Sequence, residues 1–502
     1  MAAQGAKMNG NRLTGRIACM ALLVALGAGA VATPANRPSR AMDQGALAGN
    51  QSARKPNVVI ILGDDLGYCD TGLYGCKDIP TPNINAIARR GALFTNGYSA
   101  APVCSPSRAG LITGRYQQRF GFEFNAGPLQ RAIGDPEMGL PVSEITLAQV
   151  MKQAGYATGM VGKWHLGMRD KFHPTERGFD EYFGFLFGAN TYVNPARADV
   201  KNAAAGGAEA APAWPRVARN PIYRGKTPVE EEEYLTDAFA REAVAFIERH
   251  KAEPFFLYAP FNAPHTPLQA TRKYFDRFPQ IKDEKRRVYT AMVSALDDAV
   301  GAITAKLRET GLERDTLVVF TSDNGCATYT GACVNDPLRY GKLTHLEGGF
   351  RVPFAMQWPA RLKAGMIYDR PITSLDLFPT VVALAGGQMP KDRVYDGVNL
   401  LPFLSGRQKG RPHEVLCWRN GPNAGARKGD WKLFKGGDYY WLFDLSKDIG
   451  EQKNMAEKYP QVVEELKKEL EKWEAQMKQP MWPCREATGI WVVDGVKLKI
   501  CI

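Results

Sequence analysis

The sequence predicts an α/β protein: a large, mostly parallel sheet sandwiched by helices, followed by a smaller C-terminal α+β domain carrying an antiparallel sheet. Three observations predict it. Short apolar runs such as NVVII and TLVVF read as strands buried on both faces. Longer amphipathic segments alternate with them, the pattern of helices covering a parallel sheet. Beyond residue 386 the texture changes to short aromatic-rich segments divided by Gly-containing turns.

The elements follow in order. Lys7, Arg12 and Arg16 precede the apolar and small-residue run at 17–32. That is the pattern of a secretory signal peptide over 1–32, which predicts a secreted or periplasmic protein. The run is short for a spanning helix and no later stretch reaches spanning length, so no stable membrane span is expected. Residues 33–55, rich in Ala, Gly, Ser and Pro, read as a flexible spacer. The large domain is expected over 56–386. Its first strand lies at 58–62, and a helix over 82–90 stops at Gly91. TLAQVMKQAG is a helix ending at Gly155, and the strand after it runs into Lys163 and His165. The long helix in EEYLTDAFAREAVAFIERH leads to the strand PFFLYAP. RVYTAMVSALDDAVGAITAKLRETG spans about seven helical turns and leads to TLVVFTS. The segment 196–228 reads as an irregular surface excursion. SLDLFPTVVALAG is a helix closing the domain. In the C-terminal domain, 387–502, EVLCWRN, DWKLFKG and YYWLFDLS read as strands, and EKYPQVVEELKKELEKWEAQM as an amphipathic helix with Glu/Lys pairs on its wet face. The tail at 478–502 carries no such signal.

An apolar share of 45% with 23% charged residues is that of an ordinary soluble protein. The net charge of +12 is not organised into basic runs interleaved with aromatics, so no nucleic-acid partner is expected. Cys69/Cys76 and Cys326/Cys333 have the spacing of local disulfides, which spacing alone does not establish. Cys417, Cys484 and Cys501 form an odd remainder beside Cys104, and no Cys-x-x-Cys pair supports a zinc or redox motif.

Ligands in an open parallel sheet gather at the carboxyl ends of the strands. Four predicted strand ends carry polar groups: Asp64-Asp65, Lys163-Trp164-His165, His265 and Asp323-Asn324. Asp64, Asp65, Asp323 and Asn324 together offer three carboxylates and an amide oxygen. These hard ligands suit Ca2+, with Mg2+ the second choice. Alternation on a strand puts Lys163 and His165 on one face. In CSPSRAGLITGR, Ser105 can cap, Pro106 suits a first helical position and Gly114 suits the stop. A helix start there aims free N–H groups at Cys104, with Arg108 one turn on, and would favour a thiolate. Lys342 sits in a Gly-rich loop after the fourth strand. His345 is a lesser candidate, His250 reads as a helix C-terminal cap, and His173 and His413 receive no role. So many cationic groups around one nucleophile imply a tetrahedral oxyanion substrate.

CSPSRAGLITGR resembles the signature of the type I sulfatases. GKWHLG at 162–167, APHTP at 263–267, TSDNG at 321–325 and GKLTHLEGGFRVP at 341–353 resemble further blocks of that family, in order, and the likeness covers roughly 55–475. The resemblance implies an alkaline-phosphatase-like fold and hydrolysis of sulfate esters, with a sulfated carbohydrate or an aryl sulfate as substrate. It implies that a formylglycine-generating enzyme converts Cys104 to formylglycine, whose hydrate attacks sulfur. Asp64, Asp65, Asp323, Asn324 and residue 104 would hold the calcium ion. Arg108 would support the hydrate and Lys163 the sulfate. His165 would take the proton that expels sulfate, and His265 and Lys342 would bind sulfate, one of them assisting the leaving oxygen. A formylglycine-dependent phosphonate or phosphate ester hydrolase and a non-catalytic binder of sulfated glycans are the alternatives.

Overall fold

The computed structural model describes residues 54–204, 214 and 220–502, so the leader and nearly all of the spacer lie outside the described residues. The main sheet has ten strands: β1 (Asn57–Gly63), β2 (Ala92–Phe94), β3 (Ala157–Lys163), β4 (Glu181–Phe185), β5 (Ile222–Arg224), β6 (Thr227–Val229), β7 (Phe255–Pro260), β8 (Thr316–Ser322), β9 (Phe354–Gln357) and β10 (Met366–Tyr368). Their spatial order is β10-β2-β9-β8-β1-β7-β3-β4-β5-β6. The five central strands, β8 to β4, are all parallel. Antiparallel strands lie on both sides, β9 against β8 and β5 against β4.

Alternation along β1 explains why its whole run is apolar. Val59 and Ile61 enter one core, with α1 (Pro82–Arg89) and the long helices at Leu235–Arg249 and Glu284–Glu309. Val58, Ile60 and Leu62 enter the other, with α2 (Cys104–Thr113), α3 (Leu147–Gln153) and the helix Leu377–Leu384. Both faces are covered, so no position on β1 can be polar without an unpaired buried group. The helix starts also carry their own chemistry. Thr146 and Gln149 form a capping box on α3, and the Asp283 side chain accepts from Arg286 N at the start of the longest helix.

The excursion at 196–228 is more regular than its composition suggests. Val200–Ala203 pairs with Leu268–Thr271, and β5 and β6 form a hairpin that extends the sheet. Buried Val200 and Ile222 supply the packing that propensity lacks. Residues 205–213 and 215–219 lie outside the described residues.

The C-terminal sheet has four antiparallel strands: β11 (Val415–Asn420), β12 (Asn423–Lys428), β13 (Trp431–Gly436) and β14 (Tyr439–Asp444). The sequence signals three of these. The unsignalled β12, NAGARK, has no aromatic or β-branched residue, and pairing on both sides holds it. The amphipathic helix Pro460–Glu474 lays Leu466, Leu470 and Trp473 on this sheet. The tail forms a hairpin, β15 (Glu486–Val493) with β16 (Val496–Cys501).

Among the described residues two disulfides form, Cys326–Cys333 and Cys484–Cys501. The second draws on the odd remainder. Cys69 and Cys76 do not pair, because the Cys76 thiol turns to Asp78 Oδ1 at 3.0 Å.

Candidate active site

The four predicted strand ends converge. β1 delivers Asp64 and Asp65, β8 delivers Asp323 and Asn324, β3 delivers Lys163, and the loop after β7 delivers His265. Close approach of strands requires glycine next to Lys163. Gly162 has φ 133°, and a Cβ there would lie 2.0 Å from the Pro260 carbonyl oxygen.

α2 begins at Cys104 itself, with Val103 as its N-cap, two residues earlier than the sequence suggests. Ser105 is not a cap. Its hydroxyl donates to the His165 carbonyl, and its backbone N–H donates to Asn125 Oδ1 at 3.0 Å. Gly114 ends the helix in the left-handed conformation, as expected.

Around Cys104 the charges interlock. The Sγ lies 3.5 Å from Asp64 Oδ1 and 3.7 Å from Asp65 Oδ1, and Lys342 Nζ reaches it at 3.2 Å. Lys163 donates to Asp64 Oδ2 at 2.6 Å, and Lys342 to Asp65 Oδ2 at 2.9 Å. Arg108 donates from Nε to Asp323 Oδ2 at 2.8 Å and from Nη1 to the Lys163 carbonyl at 2.9 Å. His265 Nε2 lies 3.5 Å from Asp65 Oδ2, its Nδ1 held by the Thr266 carbonyl at 2.6 Å. Asn324 Nδ2 donates to Asp65 Oδ1 at 2.7 Å.

His165 reaches the pocket by a different route from strand alternation. β3 ends at Lys163, and His165 adopts a left-handed φ of 61°. Its ring packs edge-on against Phe187, 5.8 Å away. His345 stays out of the pocket: it is buried, stacked on Phe434, and burial holds its pKa down to about 3. His250 is a helix C-cap, paired with Glu181 and Glu253.

Burial opposes ionisation of both Asp64 and Asp65, yet Lys163 beside Asp64 and Lys342 beside Asp65 hold both below the usual carboxylate range. Asp323 goes the other way: burial and the charge of Asp64 push it up to about 7. Burial likewise pushes the Cys104 thiol well up against the pull of Lys163 and Lys342. The expected thiolate is therefore disfavoured, although the residue stands at a helix start. Burial with the Lys163 charge holds the His165 imidazole well down, in its neutral form.

A divalent cation fits this donor set. Asp64, Asp65, Cys104 and His265 offer ligand atoms within 4.8 Å of one another. Asp323 adds a carboxylate excess, and Asn324 Oδ1 is buried without a hydrogen-bond partner. Carboxylate and amide oxygens are the ligands of a hard cation.

The pocket above Cys104 is also lined by residues that no sequence signal marked: Asn125, Phe187, Tyr329, Arg485 and Ile502. They come from separate stretches of the chain, Arg485 and Ile502 from the two ends of the tail hairpin, and only the tertiary fold brings them together. Among the described residues no helix is long and apolar enough to cross a membrane.

Comparison with known proteins agrees with this geometry. The family model "Sulfatase" matches residues 56–387, and the model "N-sulphoglucosamine sulphohydrolase, C-terminal" matches 339–476. N-acetylgalactosamine-6-sulfatase of Sus scrofa is 38% identical over 402 residues, covering 78% of this chain and 73% of the relative. The Homo sapiens enzyme is 38% identical over 404 residues, covering 78% and 72%. The crystal structure of Ps i-CgsB superposes with a TM-score of 0.77 at 36% identity, covering 86% of this chain and 95% of that one. The same protein has been solved in complex with k-i-k-neocarrahexaose, and there the TM-score is 0.76.

Proposed function

The chain belongs to the sulfatase family and is a sulfuric ester hydrolase, and from that premise we propose that it is exported and cleaves sulfate esters of a carbohydrate through formylglycine at position 104 and a calcium ion. The observation that carries the reading is the convergence of Arg108, Lys163, Lys342 and three carboxylates on Cys104 at the strand ends. The carbohydrate is drawn from similarity to N-acetylgalactosamine-6-sulfatases and to a structure bound to neocarrahexaose. Export is supported by the leader-like pattern at 1–32 and by two disulfides, which suit an oxidising compartment.

Asp64, Asp65, Asp323 and Asn324 would hold the cation, with residue 104 as a further ligand and Mg2+ as the second choice. When bound, the cation polarises a sulfate oxygen and the formylglycine hydrate supplies the nucleophilic oxygen. The chain's own residues do the rest. Arg108 fixes Asp323 and the end of β3 at once. Lys163 and Lys342 present ammonium groups to the charge that grows on sulfate as the ester bond breaks. His165, held neutral, is a proton acceptor next to position 104. His265 and Lys342 also line the pocket, one of them serving the leaving oxygen.

The test is turnover of an aryl sulfate against the matching aryl phosphate, with calcium and after chelation. Sulfate release that exceeds phosphate release and falls on chelation is expected. Preferred phosphate turnover overturns the reading.

A further inference from the structure

The tail beyond residue 476 lies outside both family-model matches, yet its hairpin packs on the loop that carries Lys342. The Cys484–Cys501 disulfide closes the base of that hairpin. The Trp491 indole N–H donates to the Lys342 carbonyl at 3.2 Å, and the indole packs on the Tyr340 ring with centres 4.6 Å apart. The Tyr340 hydroxyl donates to the Val492 carbonyl, and Arg339 pairs with Asp494 at 3.2 Å. Trp491, Val493, Leu498 and Ile500 also share one apolar core cluster with Leu343 and with Val103, the residue before Cys104.

The loop needs such a hold. Tyr340 has φ 59° and Leu343 has φ 74°, so two residues with side chains, one on each side of Lys342, sit in the left-handed region that glycine prefers. A backbone of this kind persists where its surroundings over-determine it. The large domain supplies two bonds: Lys342 N–H donates to the Cys326 carbonyl at 2.9 Å, and Leu343 N–H to the Pro102 carbonyl at 2.8 Å. The hairpin supplies the bond to the Lys342 carbonyl. Both backbone polar groups of Lys342 are therefore held, and its ammonium spans Asp65 and Cys104.

We propose that Trp491 is a positioning residue for Lys342: the tail hairpin clamps the loop at 339–343 in the conformation that delivers the Lys342 ammonium to residue 104. The inference rests on the role given to Lys342 above. A hairpin that only stabilised the fold would change turnover whether or not Lys342 were present. The two cases therefore separate in a double-mutant cycle.

The experiment uses the mature full-length enzyme and 4-nitrophenyl sulfate, with rates compared at equal formylglycine content. Trp491→Phe keeps an aromatic ring and removes the N–H, and Trp491→Leu removes the ring stack as well. Trp491→Phe is expected to lower kcat about fivefold, the scale of one hydrogen bond, and Trp491→Leu to lower it further. In a Lys342→Ala background, itself impaired, Trp491→Phe is expected to change kcat by less than about twofold. The same fold loss in both backgrounds, or wild-type kcat in Trp491→Phe, overturns this proposal alone. A Lys342→Ala enzyme as active as wild type fails the role of Lys342 first and this proposal with it.

Discussion

Lys342 Nζ lies 3.2 Å from Cys104 Sγ while also donating to Asp65 at 2.9 Å, so one ammonium group joins the nucleophile position to the carboxylate cluster. The Asp65 charge outweighs burial and keeps the Lys342 pKa well above its ordinary value, so the side chain is charged throughout the working range. Replacing it removes a preorganised charge from the point where oxyanion charge develops. Lys342→Ala is expected to lower kcat about 10²–10³-fold. Lys342→Arg is not expected to restore it, because a planar fork does not fit a point-charge site. Steady-state kinetics on an aryl sulfate decides the matter; activity within a fewfold of wild type would remove Lys342 from the reaction.

A second buried lysine has a structural task. Lys432 on β13 reaches Glu451 at 2.7 Å and Glu347 at 3.0 Å, with all three side chains fully buried. It ties the C-terminal sheet to the short helix before β9. Lys432→Met leaves Glu451 buried without its cation and Glu347 with Arg351, at 3.1 Å, as its remaining ion-pair partner. Loss of about 3–5 kcal/mol of stability is expected, read from urea unfolding midpoints.

His413 gives the fold a pH dependence. It is mostly buried, and burial opposes its charge, but Asp376 at 2.7 Å raises its pKa above the ordinary 6.5. A raised histidine stabilises the fold fully below its unfolded pKa, and the contribution is lost as pH rises through the folded value. The melting-temperature gap between wild type and His413→Gln is therefore expected to be widest near about pH 6 and to close toward about pH 9. A gap that widens with pH would reverse the assignment.

Much of the site is legible in the sequence because strand ends are. The run before Asp64 is unbroken and apolar, the runs toward Lys163 and Asp323 are largely so apart from Thr158 and Thr321-Ser322, and the charged residue at the end of each is the functional one. The C-terminal fold is only partly legible. β12 has no strand propensity and is held by two neighbours, and the tail hairpin depends on a disulfide whose partner spacing of 17 residues signals nothing locally. Sequence distance also hides Phe187, whose ring meets His165 through tertiary packing and lines the same pocket as Lys342. Burial is not legible in spacing either: a helix start favours a thiolate at Cys104, whereas burial pushes its thiol pKa up.

The most direct measurement is mass spectrometry of the peptide spanning residue 104, on protein produced with and without a formylglycine-generating enzyme, alongside sulfate release from each preparation. The expected result is conversion of Cys104 to formylglycine, with activity proportional to the converted fraction. Full sulfate release from protein whose Cys104 remains an unmodified thiol would contradict it.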